Sequence, residues 1–135
     1  MDPKIEWADD RDYEVMHKML QEHNRAFYPG LEEISYCIRD DAGKIIAGIG
    51  ADRVGDVVSV ECLVVDAAHR GKGYGAALLR HLEQAARERG CKRIVLRTYN
   101  FQAPRFYPKL GYRLTDTAEL GIAGVVDHYF AKELE

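Results

Sequence analysis

The stretch "HRGKGYGAAL", residues 69–78, places glycines at 71, 73 and 75 and the cations Arg70 and Lys72 between an apolar run and an amphipathic one. The run before it, "VVSVECLVVD" from Val57 to Asp66, is rich in β-branched residues and reads as a strand. The run after it reads as a helix to about Arg89, closed by Gly90 in the left-handed position. Its inner face is Ala77 or Leu78, Leu82, Ala85 and Ala86, with Arg80, Glu83, Arg87 and Glu88 outside and Glu83 able to pair with Arg87 four residues on. Lys92–Thr98 follows as a short strand of the buried type. Strand, helix and strand imply a right-handed parallel crossover.

Outward from that unit, the remaining signals alternate without repeats or low-complexity linkers. Lys4–Ala8 is expected to be a first strand, and Asp9 and Asp10 to cap a helix that Pro29-Gly30 ends. A strand containing Ile34, Tyr36 and Ile38 turns at Asp40–Gly43 into Ile45–Val54, and Gly55-Asp56 turns that into the strand before the glycines. Gln102–Leu110 is expected to be a short helix, and Tyr112–Thr115 with Val125–Lys132 a closing hairpin. The expected fold class is α+β, one domain over residues 1–135, with a mixed, mostly antiparallel sheet around a central parallel crossover and helices on both faces.

Length and composition fit this reading. At 135 residues, 47% hydrophobic and 30% charged, the chain has room for one core and none of the bias of a disordered segment. No apolar stretch reaches the roughly 20 residues that span a bilayer. The first residues lack a secretory signal pattern, so a cytoplasmic location with no membrane partner is expected. Cys37, Cys62 and Cys91, odd in number and widely spaced, are read as buried free thiols, not disulfides or a metal site. A net charge of −3 argues against a nucleic-acid partner. The charge is uneven, however: Arg70–Arg113 holds 11 bases against Glu83 and Glu88. That block suits an anionic ligand, although a solvated basic face would look the same.

A helix beginning after Gly73 presents free backbone N–H groups and the positive end of its dipole, and bare backbone lets a bulky anion come close. The plain alternative is a turn that tightens packing. Among phosphate cradles, no Walker A pattern is present. Gly71, Gly73 and Ala76 satisfy G-x-G-x-x-A, but the acid expected about 20 residues later is missing and the motif sits mid-chain, after an antiparallel meander.

Arg70-Gly71-Lys72-Gly73-Tyr74-Gly75-Ala76 instead resembles the R/Q-x-x-G-x-G/A signature of the GNAT superfamily of N-acetyltransferases. The preceding "VECLVVDAAH" and the downstream "NFQAPRFYPKLGYR" resemble the same family, from about Ile5 to Leu134. The resemblance implies an acyltransferase that moves an acetyl group from acetyl-CoA to a primary amine by direct attack in a ternary complex, with no metal. It lays the pantetheine arm along the backbone of Leu63, Val64 and Val65, with one N–H, taken as that of Val64, facing the thioester carbonyl. It also places Asn100 and Tyr107 on the arm and the sulfur. The expelled thiolate has a conjugate-acid pKa of about 8.5 against about 10 for a phenol, so neutral Tyr107 can supply its proton. Packing beside Phe106 is the structural alternative.

The base is more open. Glu61, an acid inside an apolar strand on the expected face of Ser59, Leu63 and Val65, is the first candidate, with an ion pair to Arg39 or Arg53 as the alternative. His128 on the last strand competes. The acidic first half is expected to receive a cationic small-molecule or peptide amine, with Tyr28, Glu32, Glu33 and Tyr36 as contacts. Only Tyr28–Glu32 separates the first helix from the next strand, so the family's second helix is reduced or absent. Exposed strand edges leave room for a homodimer. A second functional reading is a non-catalytic acyl-CoA-binding sensor or assembly domain.

Overall fold

The computed structural model describes residues 2–28, 30–100 and 102–135, so Pro29, expected to end the first helix, and Phe101 lie outside the described residues. The chain divides into two units, Met1–Gly30 and Leu31–Glu135. In the first, α1 spans Asp10–Asn24, with Asp9 as its N-cap. Asp9 accepts from the Asp12 N–H at 2.9 Å and Asp12 accepts from the Asp9 N–H at 3.0 Å. Two carboxylates thus satisfy the first orphan donors and lie at the positive end of the helix. The strand expected over Lys4–Ala8 does not form. A strand exists only where a neighbour takes its N–H and C=O groups, and among the described residues no strand pairs with this segment.

The second unit is a six-stranded sheet of β1 (Glu32–Arg39), β2 (Ile45–Val54), β3 (Val57–Val65), β4 (Arg93–Tyr99), β5 (Arg113–Glu119) and β6 (Val126–Glu133), in the order β1-β2-β3-β4-β6-β5. The first three strands form the antiparallel meander, α2 (Tyr74–Glu88) makes the crossover, and β3 with β4 is the one parallel pair. The Asp40 carboxylate accepts from the Ala42 and Lys44 N–H groups, which fixes the first hairpin turn. Leu78, Leu79, Leu82, Ala85 and Ala86 of α2 are buried, and the core cluster joins Leu78, Leu79, Leu82 and Ala86 to Val58 and Val60 of β3 and Ile94 and Leu96 of β4. Cys91 is buried as expected, but Cys37 and Cys62 are exposed. Between α1 and β1 no second helix occurs among the described residues, and no described helix is long and apolar enough to cross a membrane.

Glu83 departs from expectation. It is 4% exposed, and not on the outer face paired to Arg87. Its carboxylate accepts from the Tyr112 hydroxyl at 2.8 Å and from Lys132 Nζ at 3.0 Å, while Nζ also donates to the Leu110 carbonyl at 2.8 Å. Burial, then the neighbouring carboxylate, pushes the Tyr112 phenol far above its usual range. The network ties α2 to the loop before β5 and to β6. Lys132→Met strands the Glu83 charge, so a stability loss of about 3 kcal/mol is expected in urea unfolding, and adding Glu83→Met should recover part of it. Equal losses in the single and double variants would show that the pair is not what matters.

Candidate functional site

The site begins with an irregularity in β3. Val60 pairs with Ala51 and Cys62 with Gly50, leaving Glu61 as an extra residue, a β-bulge. The parallel ladder to β4 covers Val57–Val60 against Arg93–Leu96 and stops there, whereas β4 continues to Tyr99 along β6. Glu61–Val65 therefore has no strand on its β4 side. The bulge also reverses the side-chain phase: Val58 and Val60 are buried before it, and Leu63 and Val65 pack on the core after it. Unbroken alternation put Glu61 on the face of Leu63 and Val65. The bulge removes it from there and leaves it exposed.

Backbone directions along the open edge follow from two bonds. The Asp66 N–H reaches across to the Ile46 carbonyl at 2.8 Å, so on alternation Val64 and Cys62 also face β2. Leu63 and Val65 face the gap. Consistent with this, the Val65 carbonyl accepts from Arg70 Nε at 3.1 Å. The expectation that the Val64 amide faces the gap is therefore corrected, and the N–H groups of Leu63 and Val65 are the free ones.

Beyond β3 the chain passes through the 3-10 turn Ala67–His69 into the glycines. Gly71 and Gly73 have φ of 80° and 84°, which a side chain would strain. Gly73 is the N-cap of α2, and the first N–H of that region with a helical acceptor is that of Ala77, to Gly73 at 3.0 Å. The Gly73–Ala76 N–H groups are left bare, and Arg70 and Lys72 are exposed beside them. Gly75 has no positive φ, and a Cβ there would lie in ordinary contact with Phe106 Cζ at 3.4 Å and Val65 Cγ2 at 3.8 Å. Backbone conformation explains Gly71 and Gly73.

This cradle and the open edge of β3 line one continuous cleft of about 680 Å³, closed on its far side by Ala103, Phe106 and Tyr107. The expected helix over Gln102–Leu110 is absent. Turns occupy Pro104–Tyr107, and only Pro108–Leu110 is helical, as one 3-10 turn. The two prolines remove donors that a longer helix needs. Tyr107 is 7% exposed and packs edge-on against Phe106 (5.1 Å between centroids) and Tyr112 (6.0 Å). Burial raises its pKa, so the phenol is a neutral donor at physiological pH.

A second cleft, of about 600 Å³, opens where β3 leaves β4 and includes Ser59, Glu61, Arg97, Asp127 and Tyr129. Gln102 lines both clefts. Its Oε1 accepts from the Tyr99 N–H at 2.7 Å and from the Thr98 hydroxyl at 3.1 Å, which fixes it at the boundary. Arg39 and Arg53 are engaged elsewhere, Arg39 with the Gly43 carbonyl and Arg53 with Glu32, so neither neutralises Glu61. Sequence reasoning missed Asp127. It is 2% exposed, its Oδ2 lies 3.7 Å from Arg97 Nη1, and its Oδ1 has no hydrogen-bond partner. The available signal was an acid inside an otherwise apolar final strand.

Several expected contacts lie elsewhere. His128 is absent from the lining of this cleft; its Nδ1 is 3.3 Å from the Val126 carbonyl and its ring stacks on Phe130. Glu32 is clamped by Arg53 and Arg89, each at 3.1 Å, and these bonds hold its carboxyl below the usual range. That clamp lies at the other end of β3 from the cradle, where β2 ends and α2 closes. Tyr36 packs edge-on against His81 of α2 at 4.4 Å. Tyr28 belongs to the N-terminal unit. Asn100 was expected on the cofactor arm, yet its amide donates to the Gly124 carbonyl at 2.8 Å and accepts from the Val126 N–H at 3.0 Å.

Known proteins resemble this chain in sequence and in fold. The sequence model of the Acetyltransferase (GNAT) family matches residues 3–112. The chain is 36% identical over 95 residues to the blasticidin-S acetyltransferase of Streptomyces morookaense, covering 70% of each chain. It superposes on an acetyltransferase from Bacillus cereus with a TM-score of 0.85 and 31% identity over 98% of both chains. A Bacillus anthracis protein solved with acetyl coenzyme A gives a TM-score of 0.66 and 25% identity over 76% of this chain and 63% of that one.

Asn100→Ala separates its two roles. A stability loss of about 1–2 kcal/mol in urea unfolding is expected, with CoA affinity within about threefold of wild type. A tenfold weaker CoA affinity at unchanged stability would return Asn100 to the ligand.

Proposed function

The chain belongs to the acetyltransferase (GNAT) family, and on that footing we propose that it moves the acetyl group of acetyl-CoA onto a primary amine by direct attack in a ternary complex. One observation carries the reading: an unpaired strand edge, Leu63–Val65, and the bare N-terminus of a helix line the same cleft, joined by one 3-10 turn. An arm with amide groups can pair with such an edge as a missing strand would, and a pyrophosphate suits the positive helix end. Residues 1–135 are taken as one N-acetyltransferase domain, a reading supported by a family match that begins in the first unit and extends far into the second.

In this reading the N–H groups of Gly71–Ala76, helped by Arg70 and Lys72, hold the pyrophosphate. Val64 lines the groove through its side chain, while the Leu63 and Val65 amides take the arm. The Leu63 N–H, nearer the bulge, polarises the thioester carbonyl. The acceptor enters through the second cleft and its nitrogen attacks the carbonyl carbon. The C–S bond then breaks and Tyr107 gives its proton to the leaving sulfur. Glu61, exposed at that cleft, takes the amine proton directly or through water. An open second cleft next to the first favours turnover over a non-catalytic acyl-CoA sensor.

Calorimetric titration of the full chain with acetyl-CoA and CoA is the test, alongside Lys72→Glu and Gly73→Glu. Micromolar binding that both variants weaken is expected, and absence of binding by folded wild-type protein overturns the reading. With an amine substrate, Tyr107→Phe should lower kcat by about 10² or more at nearly unchanged acetyl-CoA KM. Since the Tyr107 pKa is raised above 10, the donor stays protonated, and wild-type kcat should not fall between pH 7 and about 9.5. An alkaline decline in kcat inside that window would remove Tyr107 from the proton transfer.

A further inference from the structure

The second cleft contains a buried carboxylate that the proposed chemistry does not use. Asp127 is 2% exposed, and its Oδ1 is the one buried side-chain polar atom without a hydrogen-bond partner among the described residues. Leaving a carboxylate oxygen unsatisfied in a dry place costs free energy, and such groups are commonly completed by a ligand. Its neighbour does not complete it. Arg97 approaches only Oδ2, at 3.7 Å, well beyond the roughly 2.8 Å of a charge-assisted bond, and its side chain is 64% exposed. The Arg97 side chain is engaged first by a hydrogen bond to the Tyr129 side chain, which leaves Asp127 Oδ1 without a partner.

The other charged group of the cleft is Glu61, so its lining carries two carboxylates and one guanidinium, net −1. Glu61 sits at the bulge where β3 departs, and Asp127 lies two strands away on β6. A ligand that meets both carries more than one cationic nitrogen.

We propose that Asp127 is the specificity residue of the acceptor site, and that the acceptors are amines with at least two cationic nitrogens, one held by Asp127 Oδ1 while another is acetylated. The proposal rests on the acetyltransferase reading. The second nitrogen donates N–H to Oδ1, while the Arg97 guanidinium stays with the Tyr129 side chain and Oδ2. A monoamine leaves Oδ1 as orphaned as before and gains nothing from it.

The experiment uses the full chain loaded with CoA, which cannot turn over, titrated by calorimetry with spermidine and with butylamine. Thiol release from acetyl-CoA is measured in parallel with the same two amines. Wild type should prefer spermidine by about 30-fold or more, and Asp127→Asn should reduce that preference to within about threefold with acetyl-CoA affinity unchanged. Arg97→Gln provides the control, since it removes the competing cation and should hold or strengthen spermidine binding. If Asp127 serves only to seat Arg97, the two variants weaken spermidine alike, which overturns the proposal, as does equal binding of the two amines by wild type. Failure of acetyl-CoA itself to bind is a separate result and sinks the acetyltransferase reading instead.

Discussion

The open strand edge of the second unit depends on one mispairing, the extra residue Glu61 between the Val60–Ala51 and Cys62–Gly50 pairs. Before it, β3 is a core strand with neighbours on both sides; after it, the strand keeps β2 and loses β4. A strand in full register with β4 to Tyr99 would have no free N–H groups and no cleft. The bulge makes separation tolerable because it reverses the side-chain phase as it bends the chain, so Leu63 and Val65 stay packed on the core while their amides open. Structural burial and an available backbone edge coexist on the same residues.

The far wall of the first cleft is held from behind. The segment carrying Tyr107 has only a single 3-10 turn of its own, too little regular structure to define a ring position. Its placement comes from the aromatic contacts with Phe106, Tyr112 and Phe130 and from the backbone, where the Tyr107 carbonyl accepts from the Leu110 N–H at 2.9 Å and the Tyr112 N–H at 3.2 Å. Tyr112 and Leu110 are in turn fixed by Glu83 and Lys132. A buried ion pair one layer away thus holds the phenol in the cleft, and that gives a reason to keep a charge at a position where leucine would pack well.

Much of the fold was legible because it is written in turn residues and helix caps. The glycines at 55, 71, 73 and 90, all at positive φ, punctuate the meander and the crossover, and the structure follows them to within a residue or two. What escaped was whatever depends on partners distant in sequence. A bulge has no residue signature, so period-two counting carried Glu61 to the wrong face. Glu83 follows Leu82 on the helix, and only the arrival of Tyr112 and Lys132 makes its burial tolerable. His128 was the expected competitor on the last strand, while the adjacent Asp127 is the residue that lines the cleft. Asn100 fits a sequence pattern, but its amide is engaged by Gly124 and Val126.

The two clefts were unequally readable for a physical reason. The first is built from backbone, and backbone can be approached or bent to positive φ only where glycine permits it, so the requirement appears in the sequence as a motif. The second is built from side chains on four strands, Ser59 and Glu61 on β3, Arg97 on β4, Thr115 on β5 and Asp127 and Tyr129 on β6. Their convergence is a property of the strand order, in which β6 inserts between β4 and β5. The charges also separate: Arg70 and a helix N-terminus face the first cleft, and a net negative set faces the second. With Gln102 fixed on the boundary between them, this separation supports the proposed reading, in which an anionic ligand and a cationic one would each be drawn to their own side and meet where β3 and β4 part.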